Sequence, residues 1–318
     1  MSTLSTNPDY SEEFEDKPLP LNLYDEYDDE EDLWVKPRLE NLVNGTLTPK
    51  QLAIDVDAMI TEDTNRKFDE LMKRPDPRNL TEEEEENESS IAPHPRSHIS
   101  LLFSVIVQLC TAFPAYHPGQ THIVEFLFAL QSLSRHEVYT GLPPKDPSEP
   151  YRTVTLWPLE EDGGDWQMLS YLFKEAMKVW LAPYRLRNLN AAMARLASLK
   201  LCNCDRYSAL LYIMPSNNEY LDLEERPIDG PNRLGNNLIA AAQWILPLEE
   251  GHFAYQECKK FESEPEWPHI WCMVHWREWK RQFAFVAGDE RFAAKYREVA
   301  ERSYCQMLVY EEEDSKGQ

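Results

Sequence analysis

Apolar residues recur at helical spacing over most of this chain. In "TLTPKQLAIDVDAMI", Leu52, Val56, Met59 and Ile60 fall on one face. Thr48 is a natural N-cap there, and Pro49 fits the first turn, where its missing N–H costs nothing. Further on, "HISLLFSVIVQLCTAF" and "QTHIVEFLFALQSL" flank the turn-rich "PAYHPG" and predict a helical hairpin. Helical patterning continues through "WQMLSYLFKEAMKVWL", "LRNLNAAMARLASL", "CDRYSALLYIM", "GNNLIAAAQWIL", the region of "GHFAYQECKKF", and "PHIWCMVHWREWKRQFAFVA". It closes with "DERFAAKYREVAERSYCQMLVY", where Asp289 caps and Phe292, Tyr296, Val299 and Ser303 share a face. A single short extended piece, "RTVTL", appears, and no sheet could be built from it alone. The pattern predicts an all-α fold of about ten helices. No fixed period supports a solenoid.

Two stretches interrupt the helices. Residues 74–97 hold prolines and a glutamate run, read as a solvated acidic loop, and residues 139–165 form a proline-rich loop. Residues 1 to about 40 are acidic and aperiodic, with too little apolar surface to offset the entropy of ordering. The expected organisation is a disordered acidic segment over 1–44, one all-helical domain over 45–310, and a short acidic tail over 311–318.

Charge sharpens this division. The chain carries a net −24; residues 1–90 hold 26 acidic and 9 basic side chains, against 30 and 23 in the remainder. An acidic field of this kind repels phosphate backbones and anionic lipid, so nucleic acid and membrane are set aside as partners and a basic or helical protein is retained. The longest apolar run, Ile99 to Cys110, is well short of the ~20 residues that span a bilayer. Six scattered cysteines and the lack of a signal-like N-terminus point to a reduced compartment, the cytoplasm, with the nucleus left open.

Candidate chemistry concentrates in "WCMVHWREWK", Trp271 to Lys280. On a helical wheel Trp271, Cys272, His275 and Trp279 fall in one apolar arc with Trp276, Phe283 and Val286. His269, Cys272 and His275 recur three apart, and imidazole with thiolate suits zinc. Six residues along a helix rotate the outer two apart, however, and no fourth ligand is identifiable. The arc is therefore read as a core cluster or the lining of an apolar pocket, with no metal, catalytic or cofactor residue assigned. The C-x-C pair Cys202 and Cys204 has no second pair and reads as buried thiols. Glycine-rich phosphate cradles, H-E-x-x-H and G-x-S-x-G are all missing.

A second candidate is "LYDEYDDEEDLWV", Leu23 to Val35, in which aromatic and aliphatic residues alternate with acid. That composition suits segments that bind folded or basic partners, with Tyr24, Tyr27 and Trp34 as anchors. A solubilising tail with incidental aromatics is the plainer reading of the same residues.

The motifs N-L-N-x-x-x-A-R-L (Asn188 to Leu196), A-A-x-W-I-x (Ala241 to Leu246) and W-x-x-W-K (Trp276 to Lys280), followed by a closing helix, are confined to 186–307. Their order resembles the uncharacterised domain-of-unknown-function family number 3632 of filamentous fungi, over residues 45 to 310. Pro247 departs from the small residue usual in that family. The resemblance implies an intracellular, all-helical protein with no assigned activity or cofactor. Taken together, these observations lead to a non-enzymatic helical interaction or scaffold protein. The alternative is an accessory enzyme or small-molecule-binding protein that takes an apolar metabolite in an aromatic-lined helical cavity.

Overall fold

Capping decides where the helices begin. The computed structural model describes residues 17–144, 146, 148–157, 168–178, 181–215, 230–263 and 270–317. Among these the fold is all-α with one minor two-stranded sheet. The Asp29 carboxylate accepts from the N–H groups of Glu31 and Asp32, while the Asp32 carboxylate accepts from the Asp29 N–H. This reciprocal box opens α1, Glu30–Val43, and its three first-turn acids favour the positive end of the helix dipole. Thr48 caps α2, Pro49–Met72, by accepting from the Gln51 N–H.

The chain divides into two compact units. One comprises Asn22–Gln108 and Thr121–Leu169. It contains α1, α2, the short α3 (Glu82–Glu86) and α4 (Glu88–Ile91), and most of α5 (Pro95–Ala112) and α6 (Pro118–Gln131). It also holds the sheet, in which β1 (Glu137–Tyr139) pairs antiparallel with β2 (Thr153–Thr155), Val138 opposite Val154. Its core gathers Val35, Leu39 and Leu42 of α1, Leu52, Val56 and Ile60 of α2, and Ile99, Phe103 and Ile106 of α5. Phe68 of α2 stacks on Tyr139 of β1 at 3.7 Å between centroids, and Tyr151 meets Phe68 edge-on at 5.0 Å.

The other unit comprises Met1–Leu21, Leu109–Gln120 and Ser170–Gln318. It holds the larger part of α7 (Met168–Lys178), then α8 (Pro183–Ser198), a 3-10 turn (Asp205–Tyr207), α9 (Ala209–Tyr212), α10 (Gly230–Ala242), α11 (Leu248–Lys259), α12 (Met273–Gly288) and α13 (Ala294–Gly317). α12 and α13 pack along their lengths. Trp276, Trp279, Phe283 and Val286 are buried on α12, and Tyr296, Ala300, Ser303, Met307 and Tyr310 on α13. The α13 spacing is close to a heptad seam, the pattern of two helices crossing at a shallow angle. Gly251 is required on α11: a Cβ there would lie 2.3 Å from both the Ile245 carbonyl and the Tyr310 hydroxyl.

Several expectations are corrected. The disorder expected through residue 44 does not hold from Lys17 onward: Leu19 and Leu23 are buried, and α1 buries one face. Its acidic composition masks a capping box and apolar residues at 35, 39, 42 and 43. Residues 1–16 lie outside the described residues. The glutamate run forms α3, capped by a Thr81–Glu84 box, although its side chains stay solvated. "RTVTL" finds a partner in β1, so a small sheet exists. The acidic tail expected over 311–318 continues α13 to Gly317, because Glu311 accepts from the Trp276 indole at 2.9 Å and from Lys280 at 2.6 Å.

Trp279 is fully buried, and among the described residues its indole N–H has no hydrogen-bond partner. Trp279→Ala should therefore cost ~3–5 kcal/mol. Trp279→Phe should cost less than half of that, since it keeps most of the ring volume and removes an unsatisfied donor. Denaturant unfolding of the two variants checks both; equal losses would show that the N–H is satisfied after all.

Candidate functional site

Among the described residues the members of the tryptophan cluster pack on one another. The helix begins at Met273, so Trp271 and Cys272 precede it and Cys272 is the N-cap, its sulfur 3.4 Å from the His275 N–H. His275 thus lies in the first turn, half-buried, with Nδ1 2.6 Å from the Ile270 carbonyl oxygen. A carbonyl only accepts, so Nδ1 carries the proton and donates. Trp271 sits among Trp244, Phe253 and Trp279, with ring centroids 5.8 to 6.0 Å away. The Trp244 N–H donates to Asn190 Oδ1 at 3.1 Å. These are tilted and edge-on core contacts. His269 lies outside the described residues, and among the described residues no group of three or more histidine, cysteine or carboxylate side chains is arranged to hold a metal ion.

The N-terminal candidates lie in the other unit, and the structure treats each differently. Tyr27 is 84 % exposed. Tyr24 is about half exposed, and its hydroxyl donates to Glu40 on α1 at 2.7 Å. Trp34 is half-buried on α1, with the Arg38 guanidinium 3.9 Å above its ring and bonded to its carbonyl oxygen at 2.9 Å. Trp34 and Arg38 line a concavity of about 550 Å³ with Asp55, Ala58, Met59, Glu62, Asp63 and Arg66 of α2.

Behind this surface is a buried charge cluster. His98 of α5 is 7 % exposed and places Nδ1 2.5 Å from Glu31 of α1 and Nε2 2.9 Å from Asp63 of α2. Burial works against a charged ring, but the two carboxylates outweigh it and raise the pKa to about 9. Burial alone would raise the Asp63 carboxyl, whereas hydrogen bonds from His98, Lys67 and Arg66 hold it well below the usual carboxylate range. Lys36 is likewise buried on α1, paired with Asp28 and with Asp32 at 2.9 Å.

A second concavity, of about 570 Å³, is lined by Asp57, Ala58, Thr61 and Glu62 of α2 and by Leu133, Ser134 and His136 of the α6–β1 connection. The His136 ring is 3.1 Å from the Ser134 carbonyl through Nδ1, and 3.1 Å from the Thr61 hydroxyl through Nε2. Asp57 accepts from the Trp157 indole at 2.5 Å and is 3.4 Å from His136 Nε2. Trp157 is fully buried with φ +71°, a left-handed backbone that a bulky residue keeps only when its surroundings impose it. The Thr61–His136 pair has nucleophile–base reach, but Asp57 and Glu62 are poor company for a developing oxyanion. The arrangement is better suited to accepting hydrogen bonds from a cation. Sequence reading missed His98, Asp57, Thr61 and His136, because their partners lie far away in the chain; only the acid-and-apolar alternation along α2 hinted at them.

The family model described as "Protein of unknown function (DUF3632)" matches residues 103–283. No curated protein and no solved structure matches the chain. Among the described residues no helix is long and apolar enough to cross a membrane.

The His98 cluster sets a pH dependence. A folded pKa of about 9 against an unfolded value near 6.5 means that its contribution is complete below about 6.5 and is lost as pH rises through about 9. The upper bound on that contribution is ~3 kcal/mol. His98→Gln should lower the denaturation midpoint at pH 6.5 and erase most of the wild-type decline between pH 7 and about 10. Parallel pH profiles for the two proteins would show that His98 is not the titrating clamp.

Proposed function

Since the chain belongs to this family of proteins of unknown function, we propose, from its own surface, that it is a non-enzymatic helical interaction protein. Its partner is a basic protein, engaged through the acidic, aromatic surface around Tyr24, Tyr27 and Trp34. The observation that carries this reading is Tyr27, a large aromatic 84 % exposed among Asp25, Glu26 and Glu30, all exposed as well. Aromatic side chains offer large contact area at low conformational cost, and acids around them steer a cationic partner. The order found from Lys17 onward supports the same reading, because Asp28 paired with Lys36 and Glu31 bonded to His98 hold the backbone between Tyr27 and Trp34 in place. Among the described residues Trp271 and Trp279 are buried against Trp244 and each other, which favours the interaction reading over the metabolite-cavity one. We place the protein in the cytoplasm, consistent with six free cysteines, five of them buried.

Affinity capture from a cell extract, with no cross-linker, tests this. The wild-type chain should retain partners that a Tyr27→Ala/Trp34→Ala variant loses, and raising the salt several-fold should release them. Unfolding curves would confirm that the variant is folded. Identical partner sets from the two proteins would overturn the proposal.

A further inference from the structure

α2 presents two faces with opposite roles. One is core, with Leu52, Val56, Ile60 and Thr64 all buried. Along the other run Ile54, Ala58, Glu62 and Asn65, all exposed and spaced at four, four and three residues. This stripe is a ridge between the two concavities, which share Ala58 and Glu62 as lining residues. A helix surface with a small residue at the crest and a depression on either side has the relief that another helix fills, since ridge-into-groove packing brings axes to ~8–10 Å.

We infer that this face of α2 is a docking site for one basic amphipathic helix of a partner protein, whose cationic side chains enter the two depressions. The inference deepens the interaction reading above and rests on it. Charge selects the occupant. Asp55, Asp57 and Glu62 contribute three carboxylates to the two depressions, while Asp63, which also lines one of them, is already paired with His98, Lys67 and Arg66. Of the two arginines there, Arg66 is engaged by Asp63 and Glu70, and Arg38 by the ring and carbonyl of Trp34. Glu62, on the crest, has no ion pair or hydrogen bond among the described residues. In the second depression, the lone pairs of the Thr61 hydroxyl and the Ser134 carbonyl that His136 does not use, and those of Asp57 that Trp157 does not use, are acceptors suited to an ammonium or guanidinium group. Ile54 is 44 % exposed, and with Ala58 and Met59 it offers the apolar centre that an amphipathic helix needs.

The chain itself supplies no such occupant. Residues 1–16 carry five acidic and no basic side chains, and residues 216–229 carry five acidic and one basic. A second copy brings a net −24 to an acidic surface.

The test uses the full chain and an amphipathic leucine–lysine peptide of about 18 residues, five helical turns, with a matched peptide whose lysines are acetylated. Binding is read by fluorescence anisotropy and mapped by the methyl signal of Ile54. The lysine peptide should bind, shift Ile54, and weaken at least about tenfold on Glu62→Lys, on Ala58→Arg and at high salt. Both substitutions are at exposed positions and should leave the melting temperature near wild type. Equal binding of the acetylated peptide would overturn the inference, as would affinity unchanged by both substitutions. Peptide binding that survives Ala58→Arg but fails with Tyr27→Ala, outside both depressions, would sink the α2 site and leave the broader interaction reading standing. The reverse result, with captured partners also independent of Tyr27 and Trp34, would sink that reading's aromatic anchors and leave the α2 site.

Discussion

A single buried amide organises the unit built from α8 to α13. Asn190 is sealed from water in the middle of α8, where an unsatisfied side chain would cost ~1–3 kcal/mol per missing bond. Its Oδ1 accepts from the Ala209 N–H at 2.8 Å, which opens α9, and from the Trp244 indole at 3.1 Å, just beyond α10. Its Nδ2 donates to the Leu186 carbonyl oxygen at 3.0 Å and lies 3.6 Å from the Met177 sulfur. Both lone pairs and both protons are therefore used, and three separate stretches are held in register by one residue. With Trp244 fixed, Trp271 packs on it and Trp279 on Trp271, so a polar constraint orients the largest apolar cluster of the unit. Asn188, two residues earlier, does a similar job on another side of α8, donating to the Thr111 carbonyl oxygen at 3.1 Å and accepting from Arg187.

This accounts for how the N-L-N motif was readable while its role was not. The motif, the A-A-x-W-I segment and W-x-x-W-K stand out in the chain, and the wheel placed Trp276, Trp279, Phe283 and Val286 in one apolar arc, where they are buried. That Asn190 bonds Trp244, 54 positions away, has no local signature. Helical periodicity is a property of neighbours at three and four residues, whereas hydrogen-bond satisfaction is settled by the tertiary fold. The same limit hid His98, whose carboxylate partners lie 67 and 35 positions away.

Composition misled where local chemistry ran against it. The stretch leading into α1 is acidic enough to resemble a solvated tail, yet Asp29 and Asp32 are the cap of a helix and Lys36 and His98 bring compensating charge. An acid that satisfies a backbone donor at a helix start is structural, and charge count alone does not distinguish it from a solvated one. β1 was invisible for another reason: three residues, Glu137 to Tyr139, are too few to show alternation, and the strand is defined by its pairing with β2 and by Phe68 stacked on Tyr139.

The acidic excess of the N-terminal region thus separates into two populations. Glu31 and Asp63 meet His98 and join α1, α2 and α5, while Asp28 and Asp32 meet Lys36 at the start of α1, so all four are largely neutralised and screened from solvent salt. Glu62 remains at the surface near Ala58 on α2, and Asp25, Glu26 and Glu30 remain exposed near Tyr27 in the chain. The first population sustains the second: unless His98 cancelled Glu31 of α1 and Asp63 of α2, these two carboxylates would repel where the helices meet. An acidic surface with exposed aromatic and aliphatic residues can therefore be rigid, so a partner would meet it without first having to order it.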